Sequence, residues 1–224
     1  DKDQQKNSFI LYKKNKEYFL EGQLFNANKL IDDLLDDSET KSNVLNFNNK
    51  INVNLKKIYL DNKNDLKNFV GYFVLSGQDI SKANLVGNFI DNKRFNFTIN
   101  SKLNNKITTL YIDQASPIIS RYKFIKGFEE GSLDFYSSKN SNKTVSTLKI
   151  YNFKLKELPV LTKILTLASL QGIADILSGE GIRFDEFEMN FMNKDNLTTI
   201  NEIYAIGPAI SILMDGYVEK NKLI

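Results

Sequence analysis

The chain has 224 residues, 42% of them apolar and 25% charged, which suits a folded domain and excludes a disordered chain. It contains neither His nor Cys, so imidazole bases, thiolate nucleophiles, disulfides and His- or Cys-ligated metals are excluded. Its net charge is +3, and all but three of its 30 basic residues are Lys, scattered among Asp and Asn. That spread lacks the clustered basic stripe of a nucleic-acid surface. The composition favours a binding or structural protein without cofactor or metal over an enzyme.

Through the first part of the chain the dominant period is two. The sequence opens on Asp1 with no apolar run behind it, which reads as a fragment of a longer protein. Ala27, Leu30, Ile31, Leu34 and Leu35 then recur at helical spacing behind Asn26, a residue suited to an N-cap. Ile51, Val53 and Leu55 alternate with Asn52, Asn54 and Lys56. Ala83, Leu85, Gly87 and Phe89 alternate with Asn84, Val86 and Asn88, and Phe95, Phe97 and Ile99 with Asn96, Thr98 and Asn100. Each run predicts a strand with one apolar and one wet face. Turn clusters such as Asp61-Asn62-Lys63-Asn64 and Asp91-Asn92-Lys93 separate them at hairpin spacing. A second short helix is expected over Ala115, Ile118, Ile119 and Tyr122, behind Asp113 and with Pro117 in its first turn.

Between Phe153 and Met189 the frequent Asn residues vanish. Pro159 opens an apolar helix that Gly179 and Gly181 close, predicted over 159–178. Lys163, Gln171 and Asp175 interrupt it too often for a membrane span. Further alternation follows at Phe187, Met189 and Phe191, from Thr198 to Tyr204, and at Ile210, Ile212 and Met214, with a Gly207-Pro208 turn between. In all, roughly eleven to thirteen strands are expected, mostly antiparallel because most connections are too short for crossovers.

The fold class that follows is mainly β with a few helices (α+β), one continuous unit over 1–224 with the apolar helix embedded. A sheet with so much one-sided apolar surface must curl, pair with a second sheet, or hold an apolar ligand. Periodicity leaves the closed core and the open groove equally available. In the open case Val53, Leu55, Leu85, Phe97 and Ile99 would touch acyl chains, and Leu161, Ile164, Leu165 and Ala168 of the apolar helix would plug or gate the trough.

Several motifs resemble AsmA-like bacterial envelope proteins. They are Leu167-Ala168-Ser169-Leu170 with Gly172, then Ser178-Gly179 and Gly181, then Phe184-Asp185. Ala205-Ile206-Gly207-Pro208-Ala209 before a strand ending in Gly216 is similar to the family's Gly-Pro turn. Gly22, Phe25 and Ala27 with Leu34-Leu35 are similar to its strand-to-helix entry, with Asn26 in place of the usual Asp. The resemblance implies a long curved β-sheet forming an open hydrophobic groove of the bridge-like lipid-transfer type. It further implies a protein anchored in the inner membrane through segments outside this chain, facing the periplasm, with phospholipid as partner and a part in outer-membrane biogenesis. Two other readings stay beside it. One is a structural β-domain that scaffolds envelope proteins through edge-strand pairing. The other is a carboxylate enzyme using Glu129-Glu130 or Asp185-Glu186.

Overall fold

The computed structural model describes residues 7–35, 48–77, 79–121, 126–157, 181–195, 197–219 and 222–223. The predicted helix 159–178, and with it Leu161, Ile164, Leu165 and Ala168, lies outside the described residues. By contact density the chain divides into two compact units, Asp1–Tyr111 and Ile112–Ile224. Both are mainly β.

The first unit holds β1 (Ser8–Lys14), β2 (Glu17–Asn26), β3 (Lys50–Tyr59), β4 (Asp65–Ser76), β5 (Asp79–Asn88), β6 (Arg94–Lys102) and all but the last residue of β7 (Asn105–Ile112). The second holds β8 (Lys126–Lys139), β9 (Thr144–Glu157), β10 (Ile182–Lys194), β11 (Leu197–Ile206), β12 (Ser211–Glu219) and the two-residue β13 (Lys222–Leu223). Within each unit the strands lie side by side in chain order, an open meander rather than a ring closed on its first strand.

One neighbour pair departs from the expected antiparallel rule. β2 and β3 run parallel, with Leu20 opposite Val53 and Phe25 opposite Ile58. Their connection runs from Ala27 to Asn49 and carries α1 (Asn28–Leu35), which gives the chain length enough to return and start β3 in the same direction. Ala27 rather than Asn26 holds the N-cap position of this helix, its carbonyl accepting the Ile31 N–H at 2.9 Å, while the Asn26 side-chain oxygen accepts the Asn28 N–H at 3.1 Å from one residue earlier. The second helix, α2, is shorter than its periodicity suggests, only Ser116–Ile119. Ala115 rather than Asp113 stands at its N-cap, and Pro117 and Ile119 are buried. Ala115 N–H donates to Gly131 O at 2.8 Å, which ties this turn to β8.

The alternation of buried and exposed residues is regular until it slips. On β3 the buried set runs Ile51, Val53, Leu55 and then Ile58; on β4 it runs Leu75, Phe69 and Leu66. Asn68 between the last two sits at φ 51°. The second unit repeats the device: Ile150 and Phe153 are both buried around Asn152, at φ 53°. A residue in the left-handed conformation advances the strand without alternating, so the face is kept while the count changes. Beyond the slip in the second unit three rings stack face to face, Phe128 on Phe153 at 5.4 Å and Phe153 on Phe184 at 5.2 Å.

Gly71 is the least replaceable residue of β4. Its φ is +142°, and a Cβ there would run into the Asn84 carbonyl of β5. Gly71→Val is expected to destabilise the fold by about 3 kcal/mol or more, through backbone strain and a forced strand separation. Urea unfolding at neutral pH measures it; a midpoint close to wild type would mean that β4 and β5 do not approach as described.

Candidate functional site

Register decides which side chains meet. In the first unit three cross-strand rows form on one face. The central one reads Leu11, Leu20, Val53, Gly71, Leu85 and Phe97, each opposite the next across β1 to β6. On one side of it lies the row Lys13, Tyr18, Ile51, Phe73, Ala83 and Ile99. On the other lie Phe9, Gly22, Leu55 and Phe69, then Gly87 opposite Phe95. The five strand residues expected to share an apolar face do so. Val53, Leu85 and Phe97 occupy one row, and Leu55 and Ile99 flank it.

The rows are uneven in height. Gly71 stands between Val53 and Leu85, and Gly87 between Phe69 and Phe95, so two positions near the middle of the face carry no side chain. Across Gly87 the Phe69 and Phe95 rings meet at 5.7 Å. A Cβ on Gly87 would sit 3.1 Å from the Phe69 ring, and a larger side chain would part the two rings. Burial also falls toward the edge: Val53, Leu55 and Ile99 are buried, Leu85 and Phe97 half-buried, and Leu11 on β1 is 51% exposed.

The second unit has its own apolar rows. Leu133, Ile150, Phe187, Ala205 and Ile212 face one another across β8 to β12, as do Phe135, Leu148, Met189, Ile203 and Met214. At the end of this face away from the ring stack, Ser146 Oγ donates to Ser137 Oγ at 3.0 Å, a buried pair that satisfies itself.

On the opposite face of the second unit runs a polar ladder that the sequence reading did not find. Asp134, Lys149, Glu188 and Tyr204 lie opposite one another across β8 to β11. Lys149 Nζ lies 2.6 Å from Glu188 Oε2, and Asn190 Nδ2 donates to Glu188 Oε1 at 2.8 Å. The Tyr204 hydroxyl lies 2.9 Å from Glu186 Oε1 and 3.1 Å from Glu188 Oε2. The hydrogen bond from Lys149, then that from Asn190, holds the Glu188 carboxyl below the usual carboxylate range, and the same contact raises Lys149. Tyr204 is pushed well above the ordinary phenol value, first by Glu186 and then by burial. Burial raises Asp134 against the pull of Lys149.

Three of the four acids weighed from sequence are engaged in ordinary contacts. Glu129 pairs with Lys156 at 2.7 Å, and Glu130 with Arg183 at 3.1 Å. Glu186 accepts the Tyr204 hydroxyl, and Asp185 is exposed. Among the described residues no helix is long and apolar enough to cross a membrane. No family model matches the chain, and neither the curated proteins nor the solved structures contain a match to it.

The ladder makes a pH prediction. Glu188, whose proton is bound less tightly in the folded state, contributes stability that is present above about pH 4.3 and lost as pH falls through its lowered value. Asp134 acts with the opposite sign: its raised value means that ionisation opposes folding, and the penalty disappears in acid. Glu188→Gln should lower the urea midpoint at pH 7 and converge on wild type as pH falls through the lowered Glu188 value, while Asp134→Asn should raise it at pH 7. Midpoints measured from pH 3 to 8 check both, and a Glu188→Gln deficit independent of pH would contradict the assignment.

Proposed function

We propose that the apolar rows of the first unit bind acyl chains, and that the chain is a non-catalytic, AsmA-like module which holds or conducts phospholipid at the bacterial envelope. In this reading it acts on the periplasmic face of the inner membrane, without a cofactor, and supports outer-membrane biogenesis. The supporting observation is the central row Val53, Gly71, Leu85 and Phe97, in which apolar side chains flank a position with none. A hydrocarbon tail laid along β4 over Gly71 would touch the half-buried Leu85 and Phe97, with the buried Val53 and Leu55 packed into the core of the unit. In this reading such a lane would do the work of the open groove that the resemblance implies.

Energetics give the lane a use. Exposing a tail to water costs about 0.8 kcal/mol per CH₂, so a sixteen-carbon chain meets a barrier on the order of 10 kcal/mol. A continuous apolar surface lowers that barrier with no bond made or broken, so neither a nucleophile nor a metal is required. The half-buried state of Leu85 and Phe97 suits the role, because a fully buried side chain has no surface left to offer a ligand. The polar faces complete it: Thr98 and Thr109 share a hydrogen bond at 2.7 Å and Asn52 donates to Glu17 at 2.7 Å on the side that meets water.

The test is lipid retention. Protein purified in mild detergent from bacterial membranes should carry phospholipid detectable by native mass spectrometry, and should bind a fluorescent fatty acid. Leu85→Gln combined with Phe97→Gln removes part of two apolar contacts, worth about 1.5 kcal/mol together, and should weaken fatty-acid binding roughly tenfold. Ile90→Gln, at an exposed position off the rows, should leave it unchanged. Wild-type protein that is folded, free of lipid and indifferent to the probe would defeat the reading.

A further inference from the structure

The hairpin turns at the two ends of the first unit carry different charge. One end gathers the β1–β2 turn at Asn15 and Lys16, the start of β3 at Lys50, the β4–β5 turn, and the β6–β7 turn at Leu103 and Asn104. Among the described residues the acids at this end are Glu17 and Asp79, and both are paired. Lys50 lies 3.4 Å from Glu17, and Lys106 lies 2.6 Å from Asp79. Lys13, Lys14, Lys16, Lys82 and Lys102 remain, all exposed, with no carboxylate of a described residue in ion-pair reach. At the opposite end both hairpin turns mix the signs, Asp61 with Lys63 and Asp91 with Lys93.

The basic end also holds an apolar side chain with no use inside the unit. Leu103 stands at the tip of the β6–β7 turn, fully exposed at 105% and left-handed at φ 51°. That conformation suits Gly, Asn or Asp, and a leucine there strains the backbone. Wholly surrounded by water, the side chain returns no burial for the strain. Lys102 and Lys106 stand on either side of it in the hairpin. A hydrocarbon tip flanked by cations suits a boundary where acyl chains begin just beneath a layer of anionic phosphates. The phosphates of a nucleic acid would satisfy the lysines but leave Leu103 without a use.

We propose that this end of the first unit docks on an anionic phospholipid surface, with Leu103 entering the boundary between headgroups and acyl chains and the exposed lysines meeting the lipid phosphates. The contact goes beyond the acyl-chain lane and stands without it, because adhesion to a surface needs no space between the apolar rows. Screening makes it sensitive to salt, whereas the entry of Leu103 is not screened.

Co-sedimentation of the whole chain with vesicles tests the contact. Phosphatidylcholine vesicles with about 30% phosphatidylglycerol should carry the protein down, and phosphatidylcholine alone should bind it at least about 100-fold more weakly. Lys82→Gln combined with Lys102→Gln should weaken binding to the mixed vesicles roughly 25-fold, about fivefold for each charge. Leu103→Asn should weaken it about tenfold while leaving the urea midpoint unchanged or raised, because asparagine suits the turn. Ile90→Gln, which changes an exposed apolar side chain at the opposite end, should bind as wild type. Vesicle binding should survive Leu85→Gln with Phe97→Gln, so that failure of the lane and failure of this contact are read separately. Wild-type protein that stays in solution beside the mixed vesicles, or that binds both kinds alike, overturns the inference. So does a Leu103→Asn variant that binds as tightly as wild type, which would reduce the contact to a general attraction of lysine for phosphate.

Discussion

Everything in this protein depends on strand register. A single layer of sheet has two faces, and a slip of one residue between neighbours would send half of the apolar side chains to the wet side. Here the pairings hold Val53, Leu85 and Phe97 in one line across β3 to β6, with Gly71 in the same line on β4. No individual contact in that line is large. The force comes from adding the rows together, each apolar neighbour about 5 Å from the next and removed from water by it.

Alternation alone, however, would spread the apolar face evenly, and the face is not even. Asn68 and Asn152, both at positive φ, shift the count so that Leu66 in one unit and Phe153 in the other stay on the buried side. The result is a densely packed end beyond each slip, where Leu66 is fully buried and the Phe128, Phe153 and Phe184 rings stack. Before the slip Gly71 does the reverse, thinning the side-chain layer while strand pairing carries on at both its sides. Packing therefore concentrates stability at one end of the rows and leaves relief at the other.

How much of this was legible follows from which signals are local. Period two along one strand is local, so the shared face of Val53, Leu55, Leu85, Phe97 and Ile99 could be read directly, and so could a helix starting just after Asn26. The parallel pairing of β2 and β3 could not, because it depends on where a long connection returns. The ring stack escaped notice for another reason. Phe153 and Phe184 fall out of phase with Ile150 and Phe187, and nothing in the sequence marks Asn152 as left-handed except that Asn tolerates the conformation better than most residues. The polar ladder needs register between four strands before Asp134, Lys149, Glu188 and Tyr204 can be seen as one row.

That ladder bears on what the two faces of the second unit can do. Glu188 accepts from Lys149 and Tyr204 on adjacent strands and from Asn190 on its own strand, and Glu186 accepts from Tyr204 as well, so these carboxylates are committed to neighbours within the sheet. A substrate seeking proton transfer there would first have to break charge-assisted bonds that stabilise the sheet. On the opposite face Ile203 lies across from Met214, and exposure grows from Leu133, at 2%, to Met214, at 51%. Polar cross-strand pairs thus fix the register from one side, while the apolar rows on the other side grow more exposed toward β12.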